Sequence, residues 1–215
     1  MVPIQYIIDA SDIDAALATG CRWLQLRSGH ELTHEAAAEL LERCHSGGTF
    51  LVLTDDLECC TQIGADGVLL TTAGIASVAS RIPEPSGIVL QRPRPIALAI
   101  GEARRTLGED SPQFVGVVAE TPDDAIAAAK AGADFIQVPL ASPSPSEEGE
   151  NCPPSSLIHL KPFIESPFTT PIVALGAIEA ESIAALLEAG ISGIASTIDD
   201  VPPVMIPLLL NADEQ

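Results

Sequence analysis

The sequence predicts a closed (β/α)8 barrel, a TIM barrel, as a single domain over residues 1–215, and two observations carry that expectation. First, four places share one pattern: "ALATGCRWLQL", "CTQIGADGVLL", "AAAKAGADFIQV" and "LLEAGISGIAS". In each, an Ala- and Leu-bearing helical segment ends at a glycine (Gly20, Gly64, Gly132 or Gly190), and an apolar strand starts shortly after it. Glycine accepts the left-handed position that closes a helix, so the pattern reads helix, stop, strand. Second, short apolar runs alternate along the chain with amphipathic stretches of helix length. Repeated βα units in a chain of 215 residues favour a small barrel over an open doubly wound sheet.

Taken in order, strands are expected near 3–9, 22–27, 49–54, 67–71, 87–90, 114–119, 134–139, 171–176 and 192–197. Helices are expected near 11–19, 33–45, 56–63, 96–107, 122–131, 157–165 and 179–189. Thr121 and Pro122 form a good N-cap and first-turn pair, and Asp123 and Asp124 suit the positive end of that helix. Strands lacking visible alternation are expected to be covered on both faces. This set holds one strand too many for an eight-stranded barrel. Either "GVLL" at 67–70 or "GIVL" at 87–90 lies outside it, or the segment "RIPEPSGIVLQRPRP" belongs to a rim excursion near 71–95. A second excursion, 141–156, is rich in Ser, Pro and Glu and is expected to be a mobile loop.

Charge excludes whole classes of partner. Thirty acidic residues against ten basic ones give a formal net charge of -20, which repels nucleic-acid phosphates and anionic membrane surfaces. The first residues, with Asp9, Asp12 and Asp14, read as neither a signal nor a transit peptide, and no apolar run reaches the ~18 residues of a membrane span. The expectation is a cytoplasmic protein that binds a small molecule, with no nucleic acid or membrane partner; a homodimer is left open.

Five cysteines, Cys21, Cys44, Cys59, Cys60 and Cys152, are irregularly spaced and mostly inside apolar patterns, as expected of reduced, buried thiols. The histidines His30, His34, His45 and His159 are scattered, whereas zinc sites need clustered ligands. Glu120, ending "GVVAE", reads either as a residue leading into a helix or as a general base in a pocket.

The ordered motifs "GCRWLQLR", "FLVLTDD", "GADGVLL", "EARRTLGED", "GADFIQV", "PIVALGAI" and "GISGIAS" resemble the thiamin phosphate synthase family and its thiazole tautomerase relatives. The resemblance implies a (β/α)8 barrel. It also implies a reaction joining hydroxymethylpyrimidine diphosphate to thiazole phosphate, with magnesium on the diphosphate. Gln25 and Arg27 match the motif that holds the pyrimidine substrate and its diphosphate, and a guanidinium fork suits phosphate oxygens. The lysine of that motif falls on Gly29. Asp55 matches one magnesium carboxylate, while the second falls on Gly74 or Arg94. The tautomerase histidine falls on Leu69 or Val89, and the serine of a "GVS" motif on Val118. Gly176 and Ala177 match the glycine-rich phosphate loop, the family's serine near the last strand's end falls at about Ile198, Ser196 is the substrate-binding candidate beside it, and Asp199 and Asp200 follow that strand.

Each of these residues also has a structural reading. Gln25 would fill a polar layer inside the barrel, Arg27 would pair with a carboxylate such as Asp55, and Asp55 and Asp56 would cap a helix. Arg92 and Arg94 would belong to a solvated loop. The losses predict a diverged barrel that binds a small phosphorylated ligand with the ancestral synthase activity weakened or lost. The alternative is an active thiamin phosphate synthase, a transferase. No cofactor is expected beyond magnesium, and that only with a retained synthase reaction. Arg27, Asp55 and Gly176 are expected to converge at the C-terminal face of the barrel.

Overall fold

The computed structural model describes residues 4–27, 33–82, 94–108, 110–140, 155–167, 169–178 and 180–197. Eight parallel strands close on themselves in sequence order: β1 (Ile4–Ile8), β2 (Trp23–Leu26), β3 (Phe50–Thr54), β4 (Gly67–Leu70), β5 (Phe114–Val118), β6 (Phe135–Pro139), β7 (Ile172–Leu175) and β8 (Gly193–Thr197). The last strand pairs with the first, Gln5 opposite Ala195 and Ile7 opposite Thr197. The helices between them are α1 (Ile13–Ala18), α2 (His34–Ser46), α3 (Leu57–Ile63), α4 (Thr72–Arg81), α5 (Pro95–Leu107), α6 (Pro122–Lys130), α7 (Ser155–Ile164) and α8 (Ala180–Glu188). A short 3-10 turn, Ala10–Asp12, precedes α1. The four glycines of the repeat all have positive φ, 71° at Gly20 and Gly64, 89° at Gly132 and 106° at Gly190, as the helix–stop–strand reading requires.

The strand excess resolves in favour of 67–70. "GVLL" pairs with β3 on one side and β5 on the other, while 87–90 lies outside the described residues. The start of the expected rim excursion is corrected: residues 72–81 form a helix packed against α5, so two helices lie between β4 and β5. Thr71 caps α4 by accepting a hydrogen bond from the Gly74 N–H. The low helix propensity of Thr, Ser and Gly in "TTAGIASVAS" hides that helix from a pattern reading. The expected loop 141–156 falls almost wholly outside the described residues.

Two apolar layers result from strand alternation. Outward residues such as Leu24, Leu51, Val68, Val117, Ile136 and Ala174 pack beneath the helices. Inward ones, Val52, Leu69, Val118, Phe135, Val173 and Ala195, fill the barrel with Trp23 and Phe114 beside them. Among the described residues, no helix is long and apolar enough to cross a membrane.

Candidate functional site

Strand order alone brings the predicted site residues to one face. Arg27, Asp55 and Gly176 each immediately follow a strand (β2, β3 and β7), so all three sit at the C-terminal mouth of the barrel. The Arg27 N–H donates to the Ile8 carbonyl at 3.0 Å, fixing this residue to the end of β1. Its guanidinium is half exposed, with Nε 3.7 Å from Asp9 Oδ1. Asp9, and not Asp55, is therefore the carboxylate beside Arg27. The difference follows from strand pairing: β1 lies beside β2 and carries Asp9 to the same rim, while Asp55, after β3 on the other side, turns away to Thr71. An exposed, long ion pair of this kind holds the arginine weakly, worth about 0–1 kcal/mol, and leaves its fork open to an anion.

Asp55 has a left-handed backbone, φ 59°, and its carboxylate crosses to the next βα corner. There Oδ1 accepts from the Thr71 N–H at 2.7 Å and Oδ2 accepts from the Thr71 hydroxyl. Gly74 makes room for it: a Cβ at that position would lie 1.8 Å from Asp55 Oδ1. Asp56 caps α3, its Oδ1 accepting from the Cys59 N–H at 2.9 Å. Of the two adjacent carboxylates, one caps its own helix and the other ties two corners together.

The magnesium that the family resemblance implies does not fit the described residues. No group of three or more His, Cys, Asp or Glu side chains converges among them. With β4 at 67–70, Gly74 in α4 is the position matching the second carboxylate, and the space there is taken by Asp55 itself. Leu69, at the histidine position, is fully buried inside the barrel.

Gly176 adopts φ 143°, which lets the chain turn out of β7 without a side chain in the way. Its N–H donates to the Ala195 carbonyl at 3.0 Å and its carbonyl accepts from Ser196 Oγ at 2.7 Å. Ser196, buried in β8, therefore positions this loop, and Ala177 follows exposed at the rim. Glu120 accepts from the Thr72 hydroxyl at 2.9 Å, bridging the β5 and β4 corners. Arg94 is turned onto α6, 2.7 Å from Asp123 and 2.8 Å from Asp124. Gly29, Arg92, Val89, Ile198, Asp199 and Asp200 lie outside the described residues.

Gln25 points into the barrel. It donates to Thr54 Oγ1 at 3.2 Å and accepts from Gln137 Nε2 at 2.8 Å; the same Gln137 nitrogen donates to Gln5 Oε1 at 2.8 Å. A polar layer inside the barrel is one of the two readings of Gln25, but its partners in this glutamine ladder, Gln5 and Gln137, buried like it, were not foreseen. Their signal was available: "PIQYI", "WLQL" and "FIQV" each place one glutamine inside an apolar strand. Cys21, Cys44, Cys59 and Cys60 are free and buried, and burial pushes the Cys44 thiol up to about 11 and that of Cys60 up to about 12. They are inert at neutral pH, as expected of packing thiols; Cys152 lies outside the described residues.

Fold and site together define a closed parallel (β/α)8 barrel that carries an arginine, a tethered carboxylate and a glycine turn at its C-terminal mouth. The profile of the family described as "Thiamine monophosphate synthase" matches residues 96–198. A thiamine-phosphate synthase of Phocaeicola vulgatus is 32% identical over 192 residues, covering 84% of this chain and 77% of that protein. The bifunctional protein ThiM/ThiE of Symbiobacterium thermophilum is 31% identical over 188 residues, 85% of this chain but 33% of its own length, so the chain spans about a third of that relative. A solved thiamine phosphate pyrophosphorylase of Pyrococcus furiosus superposes with a TM-score of 0.68 at 20% identity, covering 99% of this chain and 96% of that one. That likeness shows the fold. The chain belongs to the thiamine monophosphate synthase family.

Proposed function

We propose that the chain binds phosphorylated small molecules at the C-terminal mouth of the barrel and catalyses the reaction for which its relatives are named. That reaction joins hydroxymethylpyrimidine diphosphate and thiazole phosphate into thiamin phosphate. The observation that carries this reading is the placement of Arg27, Asp55 and the Gly176 turn at one mouth of a barrel whose relatives at 30–32% identity are called thiamine-phosphate synthases. In this reading the half-exposed Arg27 fork takes phosphate oxygens and stabilises charge on the departing diphosphate. Ser196 holds the Gly176 loop in place for the second phosphate. Asp55 fixes the β3 and β4 corners against each other. The relatives favour a retained reaction over the weakened one that the missing motif residues led us to expect.

One observation supports a second reading, a barrel that binds such ligands without turnover. Asp55 is committed to Thr71 and fills the space at Gly74, so the carboxylate pair of the family motif is absent here.

The test is thiamin phosphate formation from both substrates with magnesium, run beside calorimetric titration of each substrate. Turnover that falls about 10²-fold or more in Arg27→Ala supports the enzyme. Binding of both substrates with no product supports the second reading. No binding of either rejects both.

A further inference from the structure

We propose that the opposite, N-terminal mouth of the barrel holds a second small-molecule site, for a neutral aromatic ligand bearing a hydrogen-bond acceptor. A cavity of about 250 Å³ opens there, independent of the proposed reaction at the other end. Its walls come from the first residues of three strands, Trp23, Phe114 and Phe135, with Val173 of β7 and, at the rim, the exposed Ser192. The rings stand close: Trp23 lies 4.9 Å from Phe114 and 5.9 Å from Phe135 between centroids, the latter edge-on. These rings already contact one another, and a further ring would have to lie against the apolar surface that they present to the cavity, by offset or edge contact.

The second observation is a polar group without a partner. Gln5 borders the cavity and is 4% exposed; its Oε1 accepts from Gln137, yet its Nε2 has no hydrogen-bond partner. Gln5 Nε2 is enclosed as well as unpaired, which is destabilising, and an acceptor atom on a ligand would satisfy it once the Gln5 amide turns from the interior toward the cavity. The glutamine ladder explains the orphan. Gln25 donates to Thr54 and Gln137 donates to both Gln25 and Gln5, which leaves two unpaired atoms, Gln137 Oε1 at the centre of the series and Gln5 Nε2 in the residue that borders the cavity.

Neutrality follows from the charges at this mouth. The Asp134 carboxylate accepts from the Val115 N–H and from Arg104, whose guanidinium also donates to the Gln113 and Gly132 carbonyls at 3.0 Å each. The neighbouring cation and anion thus satisfy each other. A volume of about 250 Å³ exceeds the ~150 Å³ that admits benzene and suits one substituted or bicyclic ring.

Trp23 is the sole tryptophan of the chain, so its fluorescence reads this cavity directly. The probe is 4-nitroacetophenone, a neutral quenching ring whose carbonyl accepts and whose atoms donate nothing. With the full chain, quenching should saturate at one site. Gln5→Leu should weaken it about three- to tenfold, the effect of one neutral hydrogen bond. Ser192→Phe, at an exposed rim position that leaves the core intact, should abolish saturation. Arg27→Ala and added pyrophosphate, both acting at the other mouth, should change nothing. Linear, non-saturating quenching of equal slope in every variant would overturn the proposal. So would a Trp23 that neutral acrylamide cannot reach, which would mean that another copy or another segment of the chain covers the mouth.

Discussion

The two mouths of this barrel are made from different chemistry. At the N-terminal mouth, strands begin on aromatic rings: Trp23, Phe50, Phe114 and Phe135 form one cluster, with glutamine amides above it. At the C-terminal mouth, strands end on Arg27, Asp55, Glu120 and a glycine turn, and the contacts are hydrogen bonds between corners. The interior of the first end is packed by shape, with directed polar contacts such as Arg104–Asp134 at its outer rim, whereas the second end is built from directed polar groups. Shape tolerates little change of volume, whereas polar corners tolerate change wherever water can take over the lost bond.

Substitutions can break or sharpen that contrast. The largest effect should come from Gly116→Ala, because a Cβ there would lie 2.1 Å from the Phe135 ring. We expect a loss of about 1–3 kcal/mol in urea unfolding, and a Gly116→Ala/Phe135→Leu double variant that loses less than the two single changes added together. A silent Gly116→Ala would mean that the aromatic end is loosely packed. Next, Thr71→Val removes the hydroxyl that donates to Asp55, which is half-buried. The expected cost is about 1–2 kcal/mol by the same measurement, with any change in pyrophosphate affinity reporting how far the tethered corner shapes the mouth. The smallest effect belongs to Arg94→Ala. Its partners Asp123 and Asp124 are 72% and 33% exposed, so stability should fall by less than about 1 kcal/mol. Pyrophosphate titration should not register Arg94→Ala, whereas Arg27→Ala should weaken binding. Equal losses in the two variants would move the anion site toward α5.

The glycine-then-strand repeat made the barrel legible, because a left-handed helix stop followed by an apolar run has few other meanings. It also ordered the rim: once strands are parallel, Arg27, Asp55 and Gly176 must share a mouth. The surplus "GIVL" could not be rejected from sequence, since a four-residue apolar run between prolines carries no periodicity of its own. The helix Thr72–Arg81 was missed because its residues are weak helix formers held by a cap and by packing on α5. What sequence could not show was direction. Asp9 and Asp55 follow the two strands that flank β2, so which carboxylate meets Arg27 depends on where Asp55 points, and that depends on one positive φ and on a glycine in the next helix. The glutamine ladder joins β1, β2 and β6, strands that no local pattern relates.

Two glycines inside the barrel leave the lineage unequal freedom to drift. At Gly116 the obstacle to a side chain is the Phe135 ring, which can be exchanged for something smaller, so the two positions can change together in either order through a weakened intermediate. At Gly67 the nearest atom to an added Cβ is the Phe114 carbonyl oxygen, at 2.7 Å, and every residue type carries that atom. No partner substitution can clear it. Descendants of this chain can trade the first glycine for a shorter neighbour, but can replace the second only by moving two strands apart.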